Sequence, residues 1–297
     1  MTNVSRLGVL SIFFVLFVLS VASQEQPFNI RHRARAIHPG EVIVLEVFSS
    51  DQAMLPQAMF AGETVRLFPS PDGTVWYGLI GLDLEVEPGD YQVTVNGSRS
   101  DGELPRASYT LTVLPKQFPT RELRVAPRFV NPPQDVVARI QREAQTVADI
   151  FDESSPKRLW SGGFVRPVQG EATSSFGRRS VFNGQPRRPH SGTDFRAGEG
   201  TPVRAPNTGR VALTGNQYFS GNVVILDHGW GLFSHFAHLS TIDVEDGDLV
   251  ARGEVIGKVG ATGRVTGPHL HWTVRLNEAR VDPIALMGLF PLDRREQ

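Results

Sequence analysis

The chain has 297 residues, 40% of them hydrophobic and 21% charged, a balance that excludes a disordered polyelectrolyte and leaves room for two domains. With 30 Lys and Arg against 31 Asp and Glu the formal net charge is -1, so no global basic field points to nucleic acid as a partner. There is no cysteine, which excludes disulfides and thiolate metal sites and leaves imidazole and carboxylate as ligands for a borderline-soft divalent metal.

Residues 1–23 predict an export signal. Arg6 supplies a positive start, Leu7 to Leu19 an apolar run, and Ser20-Val21-Ala22-Ser23 the small residues that a signal peptidase favours. The run is shorter than the roughly 20 residues that cross a bilayer, so cleavage near Ala22 or Ser23 is expected, with no stable membrane insertion afterwards. The expected location is secreted, in the periplasm or cell envelope.

Residues 28–116 read as short strands: Val42 to Val47, Glu63 to Phe68, Tyr91 to Val95 and Tyr109 to Val113. Pro39-Gly40, Pro71-Asp72-Gly73, Pro88-Gly89-Asp90 and Asn96-Gly97 punctuate them as turns. This pattern predicts an immunoglobulin-like β-sandwich. His32 and His38 are isolated within it, so the expected role is to bind, position or shield.

Residues 117–159 form a proline-marked linker with an amphipathic helix from Gln134 to about Asp152. Val136, Val137, Ile140, Ala144, Val147, Ala148 and Phe151 recur at spacings of three and four, which predicts one apolar stripe packed on a neighbouring domain. From 160 to 297 glycine, proline and short β-branched runs predict a compact β-domain joined by tight turns, so the chain as a whole is expected to be mainly β.

The chemistry concentrates in this last region, where six of the eight histidines fall between His190 and His271. In His269-Leu270-His271 the two imidazoles are two apart and project to one face of an extended backbone. His190 and Asp194 are four apart around Gly192, and share a face in a strand. One carboxylate among imidazoles leaves a bound zinc ion net positive charge with which to polarise a substrate. Phe236-Ala237-His238-Leu239-Ser240 embeds a further histidine in apolar residues. Strand alternation predicts that His235 projects from the face opposite His238, partly exposed, and that His228 is structural. Gly260 to Gly267 lacks the ending of a phosphate loop and is read as the approach to His269.

The ordered set Ser175-Phe176-Gly177-Arg178-Arg179, His190-Ser191-Gly192-Thr193-Asp194, Phe236-Ala237-His238-Leu239-Ser240 and Thr266-Gly267-Pro268-His269-Leu270-His271 resembles the M23 peptidases, the lysostaphin and LytM-like zinc endopeptidases. The resemblance runs from about Glu171 to Pro283. It implies that His190, Asp194 and His271 bind one zinc ion, that His238 and His269 are the catalytic pair, and that the substrate is the peptide part of peptidoglycan. Three protein ligands leave a position for water, whose pKa a catalytic zinc lowers to about 7. No HExxH motif supplies a glutamate base, so His238 or His269 takes the proton while the other stabilises the oxyanion. His235 stands where the resemblance has an aliphatic residue. The alternative expectation is a catalytically silent LytM-like module that binds wall or activates an amidase, and such a module is expected to have lost ligands.

Overall fold

The run Val42-Ile43-Val44-Leu45 is apolar at every position because both of its faces are buried. In the computed structural model, which describes residues 28–49, 54–98, 105–174 and 176–289, the run opens the strand Val42–Ser49 of a two-sheet sandwich. The expected export segment, residues 1–23, and Ser175 lie outside the described residues. One sheet has the order Phe28–Arg33, Val42–Ser49, Val75–Gly81, Leu67–Pro69; the other has Glu63–Val65, Leu55–Phe60, Gly89–Ser98, Arg106–Val113. All neighbouring strands are antiparallel, giving immunoglobulin-like sandwich architecture.

Ile43, Leu45 and Val47 fill the space between the sheets with Val93, Val95 and Leu111. Val42, Val44 and Leu79 point the other way and join the core of the C-terminal domain. A strand covered on both sides loses the polar alternation of a half-buried one. The approach is close at Gly81, where a Cβ would stand 2.7 Å from the Cβ of Ala279. Polar contacts frame it: Arg280 donates to both carboxylate oxygens of Asp83, at 2.6 and 2.9 Å. Arg35 bridges Glu41 and Asp282, each at 2.7 Å.

Two expectations for the sandwich are corrected. Glu63 to Phe68 is two strands in two different sheets, broken at Arg66. Asn96-Gly97 is no turn but part of Gly89–Ser98; a Cβ at Gly97 would meet Met54 and the Phe28 ring, so packing requires this glycine.

The connection between the domains lies along the C-terminal domain. Thr120–Leu123 pairs in parallel with Arg179–Phe182, which also pairs with Gln185–Pro186. The helix spans Gln134–Asp152, as the periodicity predicts. Arg139 donates to the carbonyl and side-chain oxygens of Asn216, Glu143 accepts the Tyr218 N–H, and Phe151 meets Phe233 edge-on at 5.1 Å. Ala144 and Ala148 are exposed, contrary to the predicted stripe; Glu143 turns inward between Ile140 and Val147 because it has that N–H to accept.

The C-terminal domain is built on a ten-stranded antiparallel sheet. Its fully buried core includes Trp272, Phe195, Phe236 and Leu239. Among the described residues, no helix is long and apolar enough to cross a membrane.

Candidate metal centre

The strands Gly192–Phe195, Leu270–Leu276 and Leu232–Ile242 lie side by side where the predicted residues meet. Asp194 pairs with His271 and His271 with Ala237. Directly paired residues project to one face of a sheet, so Asp194 and His271 stand together, while Trp272 turns to the core and stacks on Phe236. His190 enters from the preceding loop, its backbone held by an N–H donated to the Arg178 carbonyl and a carbonyl that accepts from the Gly177 N–H.

His190 Nε2, Asp194 Oδ1 and His271 Nδ1 converge, with separations of 3.1, 2.8 and 3.1 Å. Without a metal the two imidazole nitrogens donate to the carboxylate; once they give up those protons, two nitrogens and one oxygen at such spacing can direct three lone pairs to one point. Donors each about 2.0–2.2 Å from one tetrahedral zinc sit roughly 3.3 Å apart, within about half an ångström of what is seen. The residues therefore fit a divalent cation, with His271 offering Nδ1. Its Nε2 lies 2.9 Å from Thr273 Oγ1, which can accept the N–H and so fix the tautomer. Burial alone would raise the Asp194 carboxyl, but hydrogen bonds and charge from His190 and His271 outweigh it and hold the group well below the usual carboxylate range. Burial, in turn, chiefly lowers His271.

A β-bulge brings in His238. Phe236 pairs with Val224 and Leu239 with Asn222, so Ala237 and His238 together oppose the single residue Val223. His238 takes up the extra residue with φ of 66°, a left-handed conformation uncommon outside glycine. Simple alternation would send this side chain into the core with Phe236; the bulge turns it to the face of His271, with ring centroids 5.9 Å apart. The expectation that His235 and His238 occupy opposite faces is thereby corrected. His235 pairs with Thr273 and so shares the His271 face, but its Nε2 is buried and without a hydrogen-bond partner among the described residues. Burial pushes it down to about 3, and it is neutral.

His238 and His269 face each other with ring centroids 5.0 Å apart. His238 Nδ1 lies 2.9 Å from the Thr262 carbonyl and His269 Nδ1 lies 2.8 Å from the Gly267 carbonyl. A carbonyl only accepts, so both Nδ1 atoms carry hydrogen, and Nε2 is the nitrogen that accepts in the neutral form of each ring. His269 Nε2 is 3.8 Å from Asp194 Oδ1, on the metal-site side of its ring. Burial, reinforced by His271 and His269, pushes His238 down to about 3, so it is a neutral acceptor near pH 7.

All five predicted residues line one groove of about 730 Å³. Among the described residues, none of the sandwich and none of the Gln134–Asp152 helix lines it. One wall is the connecting segment, with Arg121, Arg124 and Arg128, and other elements add Arg196 and Arg264. Sequence reasoning missed this wall, and it left Phe219, which also lines the groove, out of the site. It missed Thr273 too, although a hydroxyl residue two positions after His271 on one strand face was visible. His228 has the structural setting expected of it: from a fully buried position its Nδ1 donates to the Thr208 carbonyl and its Nε2 accepts from the Ser234 hydroxyl.

Comparison with known proteins matches residues 188–283 to the model for peptidase family M23. A solved Pseudomonas aeruginosa structure assigned to peptidase M23 is 35% identical, with a TM-score of 0.67, across 86% of this chain and 97% of that one. The DD-carboxypeptidase/endopeptidase Mpg of Neisseria meningitidis is 40% identical over 137 residues, 46% of this chain and 32% of that protein. The peptidoglycan DD-endopeptidase ShyA of Vibrio cholerae is 49% identical over 84 residues, 28% of this chain and 20% of that protein. The chain thus spans about a third or less of the length of these two curated relatives.

Proposed function

Because the chain belongs to peptidase family M23, we propose that it is an exported zinc metalloendopeptidase that hydrolyses peptide bonds in peptidoglycan cross-links, acting in the periplasm or cell envelope. The observation that carries this reading is the convergence of three ligand atoms beside two imidazoles that accept through Nε2 when neutral. Two relatives, Mpg and ShyA, carry endopeptidase names, and the ShyA name specifies peptidoglycan.

In this reading His190 Nε2, Asp194 Oδ1 and His271 Nδ1 hold zinc. The ion, when bound, supplies Lewis acidity that lowers the pKa of water to about 7 and polarises the scissile carbonyl. His238 and His269 would supply what a glutamate supplies elsewhere: one Nε2 accepts the proton of the attacking water and later gives it to the leaving amine nitrogen as the C–N bond breaks, while the other ring, protonated from solvent, donates to the oxyanion of the tetrahedral carbon. Their Nδ1 contacts to Thr262 and Gly267 hold both rings in the required tautomer. Thr273 keeps the His271 ring oriented, and the basic walls of the groove accept the peptide.

A catalytically silent module would be expected to lack part of this set, and every member is present. The test is incubation of peptidoglycan sacculi with the protein, with the protein plus chelator, and with a His271→Ala variant. Soluble muropeptides are expected from the first alone; equal release from all three would overturn the reading.

A further inference from the structure

Arg121, Arg124 and Arg128 come from a segment that lies outside residues 188–283, yet they line the same groove as His190, Asp194 and His271. With Arg196 and Arg264 they make five guanidinium groups around a cavity whose one carboxylate, Asp194, is already engaged by two imidazoles. Among the described residues, Arg121, Arg124, Arg196 and Arg264 form no ion pair with a carboxylate. Cations gathered without counter-charges repel one another, and an arrangement that costs stability is retained where a ligand anion completes it.

The segment is built into the site. Thr120–Leu123 pairs with Arg179–Phe182, the strand that leads into the His190 loop, and Arg121 Nε donates to Ser180 Oγ at 3.3 Å. Arg264 lies over the rings of Phe182 and Phe219, 5.2 and 4.6 Å from their centroids, and Phe182 pairs with Leu123 of the connecting segment. Burial and the neighbouring Arg178 both lower Arg121, while Asp194 opposes them, which places the Arg121 guanidinium within electrostatic reach of the Asp194 carboxylate.

We propose that the connecting segment is the specificity wall of the site, with Arg121 and Arg124 binding carboxylate groups of an acidic peptide substrate beside the scissile bond. This rests on the peptidase reading for the word substrate, and the binding itself does not depend on turnover. A carboxylate accepts two parallel N–H bonds from a guanidinium, which fixes the register of the peptide as well as holding it. The segment that looks like a spacer between domains is then half of the recognition surface.

The experiment uses the full chain, zinc-loaded, carrying His269→Ala so that the probe stays uncut. The probes are a fluorescein-labelled peptide containing D-glutamate and a free C-terminal carboxylate, and the same peptide amidated at each carboxyl; binding is read by anisotropy. The free-carboxylate peptide is expected to bind at least tenfold more tightly. Arg124→Gln and Arg121→Gln should each remove much of that preference, about tenfold, with amidated-peptide binding unchanged. Arg121→Lys should retain part of the charge effect. Equal binding of the two peptides, or a preference undiminished in the Arg121→Gln, Arg124→Gln double variant, would overturn the proposal. Failure of the unsubstituted chain to cut any peptide, with the preference intact, would instead strike the peptidase reading.

Discussion

His238 and His269 face each other across the site with ring centroids 5.0 Å apart, although ordinary strand alternation would bury His238 on the far side of the sheet. The relationship depends on one residue held at φ of 66°. A backbone in this state, kept at a position that contacts the site, stores strain for the sake of aim.

That strain is measurable. His238→Ala keeps a Cβ in the left-handed region, whereas His238→Gly removes it. The glycine variant should be more stable than the alanine variant by about 1 kcal/mol in chemical denaturation. Both should lose peptidoglycan hydrolysis by about 10²–10⁴-fold. Equal stability of the two would show that the bulge is not strained.

Thr273 Oγ1 lies 2.9 Å from His271 Nε2 and can accept its N–H, which on the proposed reading leaves Nδ1 for the metal. Thr273→Val preserves the shape and removes the oxygen. Zinc affinity in a chelator competition should fall by about 10–100-fold while the fold is retained. An unchanged affinity would mean that the strand alone orients His271.

His228 sits fully buried between Thr208 O and Ser234 Oγ, and burial first of all pushes it down to about 4. The unfolded chain titrates this residue near 6.5, so between about pH 6.5 and 4 the unfolded state binds the extra proton. Stability should therefore fall on acidification through that window, by on the order of 3 kcal/mol from this group, and level off below it. His228→Gln should show a shallower fall in urea denaturation between pH 7 and pH 5 with chelator present. An equally steep fall would assign the pH dependence to other groups.

The convergence of the candidate ligands was legible only in part: Asp194 and His271 stand in short strands whose alternation fixes their face, whereas His190 enters from the loop before Gly192–Phe195 and His269 stands just before Leu270–Leu276. His238 was legible as a participant but not in its direction. Alternation is a rule for regular strands, and the bulge arises from the pairing of Ala237 and His238 against Val223, which neither stretch displays alone. The helix Gln134–Asp152 followed from its period, whereas the inward turn of Glu143 depended on a distant Tyr218 N–H. Asn96-Gly97 misled because glycine serves both turns and tight packing; here the Phe28 ring and Met54 occupy the space of a side chain. Arg121 and Arg124 had no local signal, since only the parallel pairing with Arg179–Phe182 carries their segment to the groove.

The central claim is that five converging residues divide into three ligands and two that handle proton and charge. Metal content and hydrolysis measured together in His269→Ala and His271→Ala test it most directly. The account predicts about one zinc per chain in His269→Ala with activity lost by at least about 10²-fold, and zinc lost in His271→Ala. Zinc lost from His269→Ala, or hydrolysis surviving in it, would contradict the division.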